Sequence, residues 1–535
     1  MAFQHLGVML DCSRNAVMTV SSVKKYIDIL ERLGYNTLML YTEDTYEVDN
    51  QPYFGYLRGR YSQAELKELD EYAAAHNVEM IPCIQTLAHL NAAVRWKTYK
   101  AFTDVNDILL CEDERTYALI EDMFTTIEKC FTSRIVNIGM DEAHMVGLGK
   151  YLELHGYQNR FEILLRHLKK VCQIATAHGF KPVMWSDMFF RLANGGKYTC
   201  GNTFDKSVVD LVPQEVSLVY WDYYSKSKAH YDEMIQAHRQ FHNELWFAGG
   251  LWTWTGFTPK NAFTQRTVDA ALPSLLENGI ENAIFTLWGD DGGECSLFAV
   301  LPSLYYTAQM SKGISDVAQI KAGFEKEFGI AFDDFMMLDL PGATNDDPET
   351  VANPEKHMFY NDPFNGMFDC TLPEGYTPAY DVCANALRKL VGHKEFGTMF
   401  EAAAKLCDFL QVKTTIGKRT RQIYKHGTKE ELDQLIGDYD RMLSLLEAFY
   451  RAHKALWFLE KKPSGFDVQD IRIGGLMQRI ASCTERLMEY ACGKISVIEE
   501  LEEEILPEYP EKNLRHNNWA SQASANVMTF GLVGR

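Results

Sequence analysis

The sequence predicts a (β/α)₈ barrel of the TIM type followed by a mostly α-helical C-terminal region, and three observations carry that fold class. Eight short apolar runs alternate with longer segments of helical period, over about 310 residues, the length a barrel with extended loops needs. No glycine fingerprint follows the first run, where Asp11-Cys12-Ser13-Arg14 stands instead. That sets aside the doubly wound dinucleotide-binding sheet. Beyond residue 312 long helical patterns replace the alternation, so the domains expected are residues 1–312 and 313–535. Two cores suit a chain too long for one ordinary domain.

The runs that read as strands are Leu6 to Leu10, Thr37 to Tyr41, Glu79 to Ile84, Ile135 to Gly139, Pro182 to Trp185, Ser217 to Trp221, Leu245 to Gly249 and Ala283 to Trp288. Each is short, apolar and bounded by turn residues. Between them lie amphipathic stretches: Ser22 to Leu33, Ser62 to His76, Arg115 to Phe131, Arg160 to His178 and Gln265 to Glu277. Ser62 with Glu65 three residues on has the spacing of a capping box. Leu297 to Met310 reads as the last barrel helix. Glycine and proline then gather at Leu340-Pro341-Gly342-Ala343 and Asp347-Pro348, and Pro354 to Pro378 reads as irregular. The C-terminal helices expected are Ala384 to Leu410, Lys429 to Phe458 and Ile471 to Leu506, with Glu499 to Glu504 as solvated surface.

Composition narrows the function. Lys plus Arg number 53 against 73 Asp plus Glu, a formal charge of -20. Such a surface repels phosphate backbones and anionic membranes, so neither nucleic acid nor membrane is an expected partner. Twelve cysteines are scattered without C-x-x-C spacing, the usage of buried thiols in a reducing compartment. With no basic region and long apolar run at the start, the location expected is cytoplasmic. A homo-oligomer is left open.

The chemistry centres on Asn137-Ile138-Gly139-Met140-Asp141-Glu142-Ala143-His144, where an apolar run ends in two adjacent carboxylates. Successive strand residues point to opposite faces, so two acids that share a site belong where the pleat breaks, at a C-terminal strand end. On its own such a pair is better explained by a solvated acidic turn. The other strand ends decide the matter, because a barrel's functional face lies there. Trp185 ends the fifth run, Trp221 the sixth, Trp252 follows the seventh and Trp288 ends the eighth, with Tyr223 and Trp254 close behind. A single tryptophan is better explained by core packing; four at equivalent positions suit walls for the apolar face of a sugar. Asp11 and Arg14 after the first run, Glu43 and Asp44 after the second, His89 after the third, and Asp290, Asp291 and Glu294 after the eighth supply polar groups at the same level. Arg14 suits hydroxyl pairs or carboxylates, or else a salt bridge to Asp11 or Asp44. His89 is either a structural histidine or a relay to Glu142. Neither metal nor organic cofactor is expected.

These residues resemble glycoside hydrolase family 20, the β-N-acetylhexosaminidases, and most nearly the cytoplasmic streptococcal-type exo-hexosaminidases. The resemblance rests on Met9-Leu10-Asp11-Cys12-Ser13-Arg14-Asn15, Tyr41-Thr42-Glu43-Asp44-Thr45-Tyr46, Pro82-Cys83-Ile84-Gln85-Thr86-Leu87-Ala88-His89, the Asp141-Glu142 stretch, Met184-Trp185-Ser186-Asp187, Tyr220-Trp221-Asp222-Tyr223-Tyr224 and Trp288-Gly289-Asp290-Asp291-Gly292-Gly293-Glu294. It implies an exo-acting, retaining enzyme that removes terminal β-linked GlcNAc or GalNAc from a small glycan, the substrate's own acetamide serving as nucleophile. Glu142 would be the general acid/base, its pKa raised by burial and by Asp141, and Asp141 would orient the acetamide. Arg14 would hold ring hydroxyls, Trp185, Trp221 and Trp288 would wall the pocket, and Asp44 and His89 would support Glu142. The chain departs from the family pattern at Gly139-Met140, usually Gly-Gly, at Gln85, usually Asp, and at Trp252, where many members carry an acetamide-binding tyrosine. Tyr223 is the candidate donor instead. The small α/β domain that commonly precedes the barrel has no counterpart here, so it is either dispensable or lost. The alternatives are a chitobiase-like enzyme with a longer subsite and a catalytically silent barrel that binds amino sugars.

Overall fold

Eight parallel strands close into a barrel: β1 (His5–Asp11), β2 (Thr37–Tyr41), β3 (Glu79–Cys83), β4 (Ile135–Asn137), β5 (Lys181–Trp185), β6 (Ser217–Trp221), β7 (Leu245–Gly250) and β8 (Asn282–Leu287). The computed structural model describes residues 3–199, 204, 209–343, 353–366, 369 and 379–506. Each strand pairs with the next in sequence, and β8 closes on β1 in the register His5 with Asn282 through Leu10 with Leu287. All eight expected strands are present, with ends shifted by two residues at most.

The strands read as continuous apolar runs because both faces are buried. One parity packs outward under the helices, as with Leu38, Leu40, Leu218 and Phe285. The other fills the barrel: Met9, Met39, Tyr41, Ile81, Cys83, Val183, Trp185, Val219, Trp246, Ala248 and Ile284 form one interior cluster with Tyr223, Trp252, Trp254 and Trp288. Alternation thus sets Tyr41, Cys83 and Trp185 in the top interior layer, at the C-terminal mouth.

The outer helices are α1 (Val20–Leu33), α2 (Gln63–Ala75), α3 (Glu114–Cys130), α4 (Arg160–Ala177), α5 (Asp187–Ala193), α6 (Lys228–His238), α7 (Asn261–Glu277) and α8 (Leu301–Ser311). The capping box of α2 forms as expected, with Ser62 Oγ accepting from the Glu65 N–H and Glu65 accepting from the Ser62 N–H at 2.8 Å. Asp113 and Asn159 cap α3 and α4 more simply, each side chain accepting from one backbone N–H, of Arg115 and Phe161.

The C-terminal region is helical, with three differences from the expectation. The stretch Ala384 to Leu410 is two helices, α9 (Tyr380–Arg388) and α10 (Gly397–His426); a side chain at Gly397 would meet the Val391 carbonyl, so the chain turns where no Cβ fits. After α11 (Lys429–Glu460), α12 (Asp467–Ala491) ends well before Leu506, where Gly493 takes a left-handed conformation. Within the stretch expected to be irregular, Pro354–Tyr360 is a helix with proline in its first turn, and all seven of its residues are buried. Asp347 and Pro348 lie outside the described residues. Among the described residues no helix is long and apolar enough to cross a membrane, and no cluster of three His, Cys, Asp or Glu side chains is arranged to hold a metal. The described cysteines are free thiols, all buried except Cys492.

Candidate active site

After β4 the chain passes through Gly139 (φ 72°), Met140 (φ 69°) and Glu142 (φ 48°), three left-handed residues in four. Two of them carry side chains, a backbone arrangement that costs roughly 1–3 kcal/mol per residue and concentrates at functional sites. Gly139 is required, since a Cβ there would lie 2.0 Å from Gln85 Oε1. The turn lets adjacent residues serve one site. Asp141 points inward, where Gln85 Nε2 donates to its Oδ1 at 2.7 Å and His89 Nε2 lies 3.2 Å from its Oδ2. The same His89 nitrogen is 3.6 Å from Glu142 Oε2. The burial expected of Glu142 is not found: its side chain is 44% exposed against 11% for Asp141. Reversal of the backbone at Glu142 swings it out toward the mouth, where its Oε1 is 3.8 Å from Arg191 Nη2.

The electrostatics follow from this packing. Burial opposes a charge on Asp141, but the adjacent His89 cation and the hydrogen bond from Gln85 outweigh it and hold the carboxyl below its ordinary range. Burial likewise opposes a charge on His89, and Asp141 and then Glu43 overcome it, so its pKa is raised to about 10. The two form a buried ion pair, each retaining its charge because of the other. Gln85 completes the frame, donating also to Tyr41 Oη at 2.8 Å and accepting from the Met140 N–H.

Arg14 stands across the mouth, with Nε 3.1 Å from Asp290 and 3.4 Å from Asp11, and Nη1 3.4 Å from Glu43. Its guanidinium is 5.7 Å from the centre of the Trp288 ring. The acid on the loop after β2 that faces this group is therefore Glu43 and not Asp44. Asp44 turns away into a buried pair with Arg58 at 3.1 Å, and Arg58 also donates to the carbonyls of Ser13 and Arg14. Glu294 leaves the mouth as well: it is buried between Lys356 (2.7 Å) and Arg472 (3.3 Å) of the C-terminal region.

The aromatic residues do converge. Tyr41 meets Trp288 edge-on at 4.7 Å, and Trp288 lies 6.3 Å from Trp185 and 6.4 Å from Tyr223. Tyr223 stacks on Trp221 at 5.2 Å and packs edge-on against Trp254. Gly250 makes room for both, since a Cβ there would crowd the Trp254 and Tyr223 rings. Trp252 sits one layer further back, stacked on Trp254 at 4.0 Å with its indole N–H donating to the Tyr223 carbonyl.

Two groups that the sequence reading placed near the strand ends without a role join the site. Asp187, fully buried at the start of α5, accepts from the Glu142 N–H at 3.2 Å and from Arg191 at 3.1 Å. Burial first and Asp141 second push its pKa up to about 7. Glu43 is raised to about 7 in the same way, with Arg14 and His89 pulling against its burial. Parity would have singled both out: Asp187 continues the inward alternation Val183, Trp185, and Glu43 continues Met39, Tyr41.

Residues 3–240 match the model of the glycosyl hydrolase family 20 catalytic domain, and residues 333–520 match that of the Glycoside Hydrolase 20C C-terminal domain. The chain is 26% identical to Hexosaminidase D of Homo sapiens over 242 residues, which span 43% of this chain and 46% of that protein. Against Hexosaminidase D of Bos taurus the identity is 24%, over 46% of this chain and 70% of the relative. Among solved structures, the GH20 β-N-acetylhexosaminidase of Streptomyces coelicolor A3(2) superposes with a TM-score of 0.46 at 19% identity, over 62% of this chain and 70% of that one. With a catalytic-domain model on the first six strands of the barrel and a C-terminal model of the same family on the later helices, which together span most of the sequence, the chain belongs to glycoside hydrolase family 20.

Proposed function

We propose that the protein is an exo-acting, retaining β-N-acetylhexosaminidase that releases terminal β-linked GlcNAc or GalNAc from small glycans. One observation carries the reading: Asp141 and Glu142 reach a single imidazole, at 3.2 and 3.6 Å, and so approach from one side. A retaining enzyme with a carboxylate nucleophile needs its two carboxyls about 5–5.5 Å apart, flanking the scissile bond. Two carboxyls on one side suit a different division of labour, in which the 2-acetamido oxygen attacks the anomeric carbon, the substrate-assisted route known for this family.

In this reading Glu142, exposed at the mouth, protonates the leaving oxygen and then takes a proton from water. Asp141, held ionised by His89, stabilises the positive charge that develops on the amide nitrogen. Trp185, Trp221 and Trp288 confine the acetamide near the anomeric carbon. Tyr223, whose burial keeps its phenol protonated well above its ordinary range, is the donor offered to the acetamide oxygen. Arg14, ordered by its three carboxylates, reads ring hydroxyls.

Turnover of an aryl N-acetyl-β-glucosaminide tests the reading against a silent amino-sugar-binding barrel. Release of the phenol, lost in Glu142→Gln Asp141→Asn, is expected; tight binding of N-acetylglucosamine with no release would make this a lectin-like barrel.

The aromatic wall is tested at Trp221, which is only half-buried, because Trp288 is packed on Tyr41 and Trp185 and its loss would also disturb the core. Trp221→Ala is expected to weaken inhibition by an N-acetylglucosamine thiazoline by on the order of tenfold. The melting temperature should move by no more than a few degrees. Unchanged inhibition beside a large drop in melting temperature would return Trp221 to a packing role.

A further inference from the structure

The loop after β8, which brings Asp290 to within 3.1 Å of Arg14, is contacted by groups from the C-terminal region. Gln469 on α12 donates to the Gly292 carbonyl at 2.9 Å, and Asn15, next to Arg14, donates to the same carbonyl at 2.8 Å. Asn15 also donates to the Gly465 carbonyl at 3.1 Å, so one amide ties the β1 loop, the β8 loop and the turn before α12 together. The approach is close enough to exclude side chains. A Cβ on Gly465 would lie 1.7 Å from the Asn15 carbonyl oxygen, and one on Gly292 would lie 2.5 Å from Arg472 Nη1. Two residues on, Glu294 is fixed by Arg472 and by Lys356, all three side chains being about 1% exposed. Lys461, at the end of α11, donates to the carbonyls of Gly293 and Cys295.

We propose that Gln469, with Arg472 and Lys461, is a positioning residue for substrate recognition: the C-terminal helices set the β8 loop so that Asp290 orients the Arg14 guanidinium toward the sugar. This rests on the reading of Arg14 as the group that binds ring hydroxyls. The physical case is one of geometry. Arg14 has three carboxylate partners, and Asp11 and Glu43 stand on β1 and the β2 loop, which the barrel itself fixes. Asp290 stands on a loop with three glycines, Gly289, Gly292 and Gly293, whose backbone freedom has to be removed from outside. It is removed by hydrogen bonds to consecutive carbonyls, from Gln469 at Gly292 and from Lys461 at Gly293. A misplacement of about 1 Å at such a group costs up to about 10² in rate.

The experiment compares the full-length protein with Gln469→Leu, a substitution of similar volume that removes the donor, on an aryl N-acetyl-β-glucosaminide and its 3-, 4- and 6-deoxy analogues. Gln469→Leu is expected to lower kcat/KM about tenfold on the parent glycoside, mostly through KM. On the analogue lacking the hydroxyl that Arg14 reads, the loss should shrink to within about twofold, and Asp290→Asn should show the same pattern. Gln469→Glu, which retains a carbonyl but loses the donor, should behave as Gln469→Leu does. An equal loss on every analogue beside a lowered melting temperature, or no loss on any, would overturn the proposal. The Arg14 reading is checked separately with Arg14→Lys. If that variant loses the same factor on every analogue, Arg14 does not read a hydroxyl and the proposal falls with it; if it discriminates among them and Gln469→Leu does not, only the proposal falls.

Discussion

Asp141→Asn is expected to lower kcat/KM by on the order of 10² or more on every N-acetyl-β-hexosaminide, whatever its leaving group. The side chains are nearly isosteric, so the loss is electrostatic. Asp141 accepts from Gln85 at one oxygen and faces His89 at the other. An asparagine that keeps the Gln85 bond must turn its NH₂ toward His89, donor against donor, and it leaves the buried His89 cation with only the more distant Glu142 at 3.6 Å and Glu43 at 3.9 Å as carboxylate partners. Glu142→Gln is expected to fail differently. It removes a proton donor, a contribution of roughly 10²–10⁴, and removes it only where the leaving group needs protonation. Rates across aryl glycosides of graded leaving-group acidity would separate the two. Asp141→Asn should shift the whole series down, while Glu142→Gln should steepen it, sparing the most acidic phenols. Equal losses on poor and activated leaving groups would remove Glu142 from the role of acid.

The barrel was legible in the sequence because its strands are buried on both faces and its helices on one, so two distinct periods mark the chain. The same period-2 rule carries further than the strand ends. Continued past each strand, the interior parity runs to Asp11, Glu43, Gln85, Asp141, Asp187, Tyr223 and Asp290, the set that the structure brings to the mouth. It picks Glu43 over Asp44 and finds Asp187. Arg14 and Glu142 fall outside it, and at Glu142 the backbone reverses hand. That reversal is the pleat break that two adjacent acids on one site require. What alternation does not reach is any contact between distant segments. Glu294 reads as a rim acid next to Asp290, yet its partners Lys356 and Arg472 lie far along the chain, one of them in a stretch that looked irregular. Asp44 reads as a site residue until Arg58 captures it. Exposure of Glu142 was also hidden, because it depends on dihedral angles that a non-glycine residue rarely adopts.

The second large effect expected concerns the nucleophile. If the acetamide oxygen attacks the anomeric carbon, replacing the hydrogens of its methyl group with fluorine one at a time withdraws electrons from that oxygen and slows attack at each step. An enzyme carboxylate would be far less sensitive to the same change. A steep, monotonic fall in kcat/KM is therefore expected across N-acetyl, N-fluoroacetyl, N-difluoroacetyl and N-trifluoroacetyl aryl glycosides, with the β-configured sugar released first. Steric crowding offers a competing explanation, because Trp185, Trp221 and Trp288 would confine the methyl group, and fluorine is larger than hydrogen. The two separate in the ground state: crowding raises KM, whereas a poorer nucleophile lowers kcat with KM little changed when chemistry limits turnover. Asp141→Asn supplies the second control. It removes the group that would stabilise the developing oxazolinium, so the fluorine dependence should persist on a rate already lowered throughout. A flat series in the unmodified protein, or a glycosyl ester trapped on any carboxylate, would sink substrate assistance. The reading of Asp141 would go with it, since a double-displacement route leaves no oxazolinium for that buried, His89-paired carboxylate to stabilise.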